Sequence, residues 1–162
     1  VLLGLEIKGI PRRIALKRAS EEMADFGLEG FEDELPFTLS GGMRQRAAFL
    51  RTMLTEPEIL LLDEPFSSLD ALNRSHLQEW LLGILEGENR TVVMVTHDVD
   101  EAIFLSDRIY VMSPRPGSIL TVESVPFSRP RDRKIIMDPC FLRLKSQILS
   151  NLIEKPRDGG FS

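Results

Sequence analysis

Short apolar runs along the chain predict strands. Residues 59–62 read Ile-Leu-Leu-Leu and residues 91–96 read Thr-Val-Val-Met-Val-Thr. Unbroken runs rich in branched side chains are typical of strands buried in a parallel sheet. Residues 108–112 and 118–125 predict two further strands, with a proline- and glycine-containing turn at 113–117 between them.

Apolar residues with helical spacing predict helices over 11–26, 40–54, 99–105 and from Pro139 onward. Another helix should begin at Asp70 or Asn73, continue to about residue 86 and stop at Gly87. The expected buried stripes are Ile14, Leu16, Ala19, Met23 and Phe26; Leu77, Trp80, Leu81, Ile84 and Leu85; and Phe141, Leu144, Ile148 and Leu152. Residues 1–10 and 28–38 should be a short lead-in and an acidic loop, and the tail after residue 155 should be disordered. Alternating strands and helices predict an α/β domain with a mainly parallel sheet.

Composition narrows the classes of function. The net charge of −5 argues against a general nucleic-acid-binding protein, which is normally basic. The single cysteine, Cys140, allows no internal disulfide and favours a reducing compartment. The apolar runs are too short to span a bilayer and the opening residues do not resemble a signal peptide, so we expect any membrane role to act through a partner.

The helix that starts near residue 40 has the features of a phosphate-binding tip. Ser40 is a good N-cap, and Gly41 and Gly42 would let a ligand approach the first backbone amides. Those amides and the helix dipole together favour an anion. Taken alone, Ser-Gly-Gly before a helix would more often be only a cap.

Two adjacent carboxylates follow the first apolar run. Asp63 is suited to the magnesium side of a phosphate site, because that ion prefers oxygen ligands. Glu64, one residue later, can polarise an attacking water as a general base. A solvated turn is the competing interpretation of the pair, as a structural histidine is for His97 after the second run.

Four motifs occur in a fixed order: Leu-Ser-Gly-Gly-Met-Arg-Gln-Arg at 39–46, Ile-Leu-Leu-Leu-Asp-Glu-Pro at 59–65, Ser-Ser-Leu-Asp at 67–70 and Thr-His-Asp at 96–98. Together they resemble the signature, Walker B, D-loop and switch-histidine motifs of ABC-type ATPases, the nucleotide-binding subunits of ATP-driven transporters. The resemblance implies a P-loop NTPase-like sheet with flanking helices, incomplete here, plus part of a helical signature subdomain. We expect residues 1–55 in that subdomain, 56–125 in the catalytic core, and 126–162 as a C-terminal loop, helix and tail.

The resemblance also implies roles for individual residues. Glu64 and His97 would be catalytic and Asp63 would bind Mg²⁺. The residues expected to serve ATP are Ser40, Gly41, Gly42, Gln45 and Asp70. In the family the signature closes over ATP held by the opposite subunit, and the D-loop aspartate, here Asp70, communicates across that dimer.

Partners and location follow from the same resemblance. We expect a second ATPase subunit, transmembrane permease subunits, a solute-binding protein and no nucleic acid, at the cytoplasmic face of the cell membrane. Met43 at the fifth signature position and Tyr-Val-Met-Ser-Pro-Arg-Pro-Gly at 110–117 are similar to importers of nitrate, sulfonates and taurine. The basic stretch within 12–18 could be a solvated face or a contact with membrane subunits. The stretch 129–134 could be a solvated loop or a polyanion site, and we favour the loop.

No Gly-x-x-x-x-Gly-Lys-Ser/Thr phosphate loop occurs in the 162 residues. We expect that loop, the adenine platform and the glutamine loop to lie upstream of Val1, so that the chain is a C-terminal fragment. The chain alone should then bind ATP poorly and not hydrolyse it, and the missing strand should leave an apolar gap or edge. Two alternatives remain open: a non-transport ABC ATPase of DNA repair or translation, and a non-catalytic fragment that donates its signature to a partner.

Overall fold

The computed structural model describes residues 1–86 and 90–154, so the predicted helix stop at Gly87 and the tail after residue 155 lie outside the described residues. The chain divides into two compact units, an N-terminal unit of Val1–Val95 and a C-terminal unit of Thr96–Ser162. The N-terminal unit contains α1 (Leu3–Ile7), α2 (Arg12–Met23), α3 (Gly41–Met53), β1 (Ile59–Asp63), α4 (Ala71–Leu85) and β2 (Thr91–Val95). The C-terminal unit contains α5 (Val99–Leu105), β3 (Arg108–Met112), β4 (Ile119–Ser124), a 3₁₀ turn (Arg133–Met137) and α6 (Pro139–Glu154).

The two predicted apolar strands pair in parallel, in a register that places Ile59 opposite Thr91 and Asp63 opposite Val95. The prediction that both strands are buried is wrong. Leu60 is 1% exposed, but Leu61 is 73% exposed and Val95 is 58% exposed. One face of this two-stranded sheet therefore packs on the unit and the other presents apolar side chains to solvent.

The helix α2 begins after Pro11, as predicted, but its buried stripe differs from the expected one. Ala15, Ala19 and Met23 are buried, whereas Ile14 and Leu16 are exposed. Small alanines allow close packing between helices, so the inward face follows the alanines and leaves the larger side chains outside. Gly27 has φ +62, the left-handed conformation expected just after a helix.

The lead-in contains a short helix, α1, that the sequence pattern does not predict. Leu5 anchors it and is 2% exposed. A Cβ on Gly4 would lie 2.5 Å from the Cγ2 atom of Thr55, so the glycine permits a close approach between α1 and the segment after α3. That segment ends the helix as predicted, with Glu56 in a left-handed conformation (φ 49) before Pro57.

An aromatic cluster joins the helices of the N-terminal unit. Trp80 of α4 lies with its ring 5.3 Å from that of Phe26 and 5.7 Å from that of Phe49, and the Phe49 ring lies 6.4 Å from that of Phe66. Trp80 also donates a hydrogen bond of 3.2 Å to the carbonyl oxygen of Asp25. The cluster therefore connects α3, which carries the Ser-Gly-Gly tip, to the turn after β1.

The predicted stripe of α4 is only partly the buried one. Leu77 and Leu81 are buried as expected, but Gln78 and Leu82 are buried as well, and Trp80, Ile84 and Leu85 are half-buried. The inward face of α4 is therefore rotated towards positions 78 and 82. Asp70 rather than Asn73 is the N-cap of this helix.

The C-terminal unit is built around one apolar cluster. The strands β3 and β4 pair antiparallel, and α6 packs on them through Phe141, Leu144 and Ile148. Leu152 is 44% exposed, so the predicted buried face of α6 ends at Ile148. The partner of α6 is therefore the core of its own unit.

The basic stretch 129–134 is only partly the solvated loop that the sequence favours: most of its residues are exposed, but Arg131 is not. Arg131 is buried and bonded to Asp107 and to backbone carbonyl groups, so burial and pairing replace solvation there. Among the described residues, no helix combines the length and apolar character needed to span a bilayer.

Candidate functional site

The tip of α3 has the geometry that the sequence predicts. Ser40 has extended backbone (φ −62, ψ 164) and its Oγ accepts a 3.2 Å hydrogen bond from the Met43 amide. The guanidinium of Arg44 donates a 2.6 Å bond to the carbonyl oxygen of Leu39, which fixes the chain entering the helix. The amides of Gly41 and Gly42 precede the Met43 amide, which Ser40 caps. They lie in the first turn, where helix N–H groups have no intrahelical acceptor.

Packing within the chain does not require glycine at the tip. A Cβ on Gly41 would lie 3.7 Å from Leu69 Cδ2, an ordinary contact, and a Cβ on Gly42 would meet nothing within 4 Å among the described residues. Both glycines have helical φ rather than the positive values that demand glycine. Access to the helix tip is therefore the better physical reason for their presence. Gln45 lies half-buried one turn further along.

The two carboxylates lie at the end of β1 and are both exposed. Asp63 is the last strand residue, opposite Val95. Glu64 has φ 44, and its amide donates a 2.9 Å hydrogen bond to the carbonyl oxygen of Val95. A non-glycine residue in this region carries a backbone cost of about 1–3 kcal/mol, and such residues cluster at functional sites.

The turn after Glu64 holds that conformation in place. The carbonyl oxygen of Glu64 accepts hydrogen bonds from the amide of Ser67 at 3.3 Å and from its hydroxyl at 3.0 Å. Phe66, next to it, is 1% exposed and anchors the turn in the aromatic cluster. These hydrogen bonds therefore fix the backbone of Glu64, from which its exposed side chain extends.

The two carboxylates are compatible with magnesium, which does not need a cluster of protein ligands. Within residues 1–86 and 90–154, no group of three or more His, Cys, Asp or Glu side chains could hold a metal ion. Magnesium is usually bound by one or two carboxylates, with waters and substrate phosphates completing its shell. The exposed carboxylate of Asp63 at a strand end fits that pattern.

Asp70 serves as a helix cap. Its Oδ1 accepts a 3.1 Å hydrogen bond from the Asn73 amide and its Oδ2 a 2.6 Å bond from the Asn73 side chain. These bonds, that of the backbone first, lower the pKa of Asp70. The preceding Leu69 is buried and faces Gly41, so the turn that carries Asp70 adjoins the tip of α3.

His97 belongs to the C-terminal unit, where it is exposed in the loop before α5. The residues on either side are fixed: the Asp98 amide donates to Thr96 Oγ1 at 3.1 Å, and Asp98 Oδ1 accepts from the amides of Asp100 and Glu101. The N-terminus of α5 thus fixes the backbone next to His97.

The structure therefore joins the predicted residues in two groups. Asp63 and Glu64 share one turn, and Leu69 links the Asp70 turn to Gly41, all in the N-terminal unit. Two local features are absent from the sequence prediction. The cap by Asp98 could be found from an aspartate followed by a helical pattern, whereas no residue type signals the left-handed conformation of Glu64.

The sequence model described as "ABC transporter" matches residues 8–67. The uncharacterized ABC transporter ATP-binding protein MJ0412 of Methanocaldococcus jannaschii is 49% identical over 152 residues, covering 94% of this chain and 56% of that protein. The aliphatic sulfonates import ATP-binding protein SsuB 1 of Pseudomonas savastanoi pv. phaseolicola is 51% identical over 128 residues, covering 79% of this chain and 53% of that protein. The chain thus spans about half the length of the curated relatives that it matches.

Solved structures share the fold. A structure of an ABC transporter in an inward-facing conformation matches with a TM-score of 0.68 at 22% identity, covering 90% of this chain and 51% of that one. The cbiO1 component of the cbiONQ transporter complex from Clostridium perfringens matches with a TM-score of 0.63 at 25% identity, covering 86% and 55% of the two chains. These neighbours confirm the predicted fold class.

Proposed function

Because this chain is related to the ATP-binding proteins of the ABC transporter family, we propose that it is the signature and Walker B portion of an ATPase subunit that powers solute transport across a membrane. The observation that carries the proposal is the exposed carboxylate pair at the end of β1, with Glu64 held at φ 44. Non-glycine residues in a left-handed conformation cluster at functional sites, and this one carries the second of two exposed carboxylates.

In this proposal the two carboxylates have different tasks. Asp63 would hold Mg²⁺, which when bound neutralises charge on the phosphates of ATP. Glu64 accepts the proton of the attacking water, as a general base does. His97 would donate to a γ-phosphate oxygen. The role of His97 is assigned from the Thr-His-Asp motif.

The tip of α3 acts on a second nucleotide. The amides of Gly41 and Gly42 and the hydroxyl of Ser40 would contact the γ-phosphate of ATP bound to the opposite subunit, with Gln45 and Asp70 beside them. A helix N-terminus favours such an anion. ATP would then favour the closed pair of subunits, and loss of the γ-phosphate would release it, because a ligand shifts an equilibrium by its differential affinity.

The partners follow from that cycle. We propose a second ATPase subunit, transmembrane permease subunits that are moved by opening and closing, and a solute-binding protein, with the ATPase at the cytoplasmic face of the membrane. The names of the SsuB relatives point to organic sulfonates or similar small anions as the solute. We also propose that residues 1–55, 56–125 and 126–162 correspond to the signature subdomain, the catalytic core and a C-terminal extension.

The test is ATP hydrolysis by a chimera in which the phosphate-loop half of the Pseudomonas SsuB 1 relative precedes this chain. The proposal expects magnesium-dependent turnover that rises when permease subunits are added. Absence of turnover in a folded, ATP-binding chimera would contradict it. Mixing the chain with an intact ATPase whose own signature serine is replaced tests signature donation. Restored turnover in that mixture, together with no turnover by the chimera, would favour the non-catalytic donor.

A further inference from the structure

The helix α5, which follows His97, is held at both ends by side chains from other parts of the C-terminal unit. It has seven residues, and isolated helices of that length are not stable in water. Near its N-terminus, Lys145 of α6 makes a 2.7 Å ion pair with Asp100. Near its C-terminus, two arginines from the segment after β4 bind its last carbonyl groups.

Arg131 makes most of the bonds at the C-terminal end. Its Nη1 donates to the carbonyl oxygens of Phe104 at 3.1 Å and Ser106 at 2.8 Å. Its Nε and Nη2 donate to the carbonyl oxygen of Phe127, and Nη2 also donates to Asp107 Oδ1 at 2.9 Å. Its side chain is 1% exposed. A buried guanidinium with this many acceptors fixes the backbone that it touches, and a lysine cannot reproduce the fork.

Arg129 and Asp107 complete the arrangement. Arg129 donates to both carboxylate oxygens of Asp107 and to the carbonyl oxygen of Leu105 at 2.8 Å. Although burial raises the pKa of Asp107, hydrogen bonds and charge from Arg129 and Arg131 lower it overall. Asp107 therefore stays ionised and balances the buried charge. We call Arg129, Arg131 and Asp107 the arginine clamp.

We propose that Arg131 is a positioning residue for His97. The arginine clamp fixes the C-terminal end of α5, and α5 fixes the loop before it because Asp98 both follows His97 and caps the helix. Because this two-turn helix is held by its ends and by buried Ile103 and Phe104, we expect it to move as one body. Displacing its C-terminal end therefore displaces the imidazole. The catalytic meaning of this position rests on the function proposed above, whereas the coupling itself does not.

The test uses the 162-residue chain and its two histidines. Imidazole signals are recorded by NMR for wild type and for Arg131→Lys. His76, exposed on α4 in the N-terminal unit, is the internal reference. Arg115→Lys, at an exposed turn position of the C-terminal unit, is the matched control.

We expect Arg131→Lys to shift or broaden the His97 signals and to leave those of His76 unchanged. The α5 amides of Ala102 and Ser106 should exchange about tenfold faster, because buried carbonyl groups lose their donors. Arg115→Lys should change neither. Faster exchange in α5 with unchanged His97 signals would overturn the proposal, as would unchanged exchange.

A second variant covers the case in which Arg131→Lys unfolds the C-terminal unit, which would be seen as loss of the native Ile148 methyl signal. Arg129→Lys removes the fork of the more exposed arginine, whose side chain is 33% exposed. We expect it to shift His97 in the same direction by a smaller amount, and an unchanged His97 would overturn the proposal. If a His97→Ala chimera retained ATP hydrolysis, the proposed catalytic role of His97 would be wrong. The NMR test of the coupling between Arg131 and His97 would still be valid.

Discussion

The backbone amide of Glu64 donates a 2.9 Å hydrogen bond to the carbonyl oxygen of Val95, while Glu64 itself has φ 44. The parallel pairing of β1 and β2 therefore continues one residue beyond Asp63, and the chain turns immediately afterwards. Since the strand fixes one side of Glu64 and Ser67 fixes its carbonyl group, the conformation is imposed by the surrounding backbone.

Replacement of Glu64 by glycine should relieve backbone strain and stabilise the fold. Glycine adopts positive φ without steric cost, so Glu64→Gly should raise the free energy of unfolding by up to about 1 kcal/mol. Urea denaturation followed by Trp80 fluorescence measures it. A loss of stability would show that the glutamate side chain supports the fold.

Replacement of the tip glycines should leave the fold intact. A Cβ on Gly42 meets nothing within 4 Å among the described residues, so Gly42→Ala should change the free energy of unfolding by no more than about 0.5 kcal/mol. Gly4→Ala is the contrasting variant, because its Cβ would lie 2.5 Å from Thr55 Cγ2; it should lose about 1–3 kcal/mol. Thermal unfolding compares the two.

The same pair separates fold from function at the tip of α3. Gly42→Ala in the SsuB 1 chimera should lower ATP turnover strongly, since a methyl group would stand where the γ-phosphate is expected. Full turnover by Gly42→Ala would contradict the assignment of the tip. Equal stability losses in Gly42→Ala and Gly4→Ala would contradict the packing argument.

A cavity of about 510 Å³ in the N-terminal unit is lined by several residues, among them Glu22, Glu56 and Arg90. Burial, then repulsion from Glu56, raises the pKa of Glu22, and Arg18 and Arg90 only partly oppose this. A raised folded pKa means that the folded chain binds the proton more readily, so the charged glutamate costs stability at neutral pH and that cost fades as pH falls.

Glu22→Gln should therefore be a few tenths of a kcal/mol more stable than wild type at pH 7, and the difference should disappear towards pH 4. Unfolding followed by Trp80 fluorescence is a suitable probe, because Trp80 packs on Phe26 of the same cavity wall. Glu21→Gln, at an exposed neighbouring position, is the control. If Glu22→Gln were less stable than wild type at neutral pH, the charged Glu22 would stabilise the fold, contrary to this argument.

The 162-residue chain by itself should bind ATP weakly. It contains no phosphate-loop motif, and the backbone amides and lysine of that loop supply most of the grip on phosphates. Calorimetric titration with MgATP should therefore give no saturation at low-micromolar concentrations. Saturation in that range would mean that the residues described here bind nucleotide by another route.

Sequence patterns predicted the elements well because their signals are local. The Ser40 cap, the stop before Pro57 and the strand predicted over residues 91–96 depend on neighbouring residues. The structure has the cap, the stop and a strand at Thr91–Val95. Motif order also predicted the fold class, which the structural neighbours confirm.

Burial was predicted less well because it depends on distant contacts. Leu61 and Val95 have the composition of a buried strand but are exposed, since among the described residues nothing covers that face. Arg131 has the composition of a solvated loop but is buried, because its carbonyl and carboxylate acceptors come from residues 104–107 and 127. The φ of Glu64 is likewise set by a bond to Val95, 31 positions along the chain.

The most direct test of the central claim is single-turnover ATP hydrolysis by the SsuB 1 chimera, with wild type, Glu64→Gln and Glu58→Gln compared. Glu58 is an exposed carboxylate just before β1, at the opposite end of the strand, so it controls for loss of charge. We predict that Glu64→Gln lowers the hydrolysis rate about 100-fold or more with ATP binding retained, and that Glu58→Gln leaves it unchanged. A Glu64→Gln chimera that hydrolyses ATP at the wild-type rate would contradict the account.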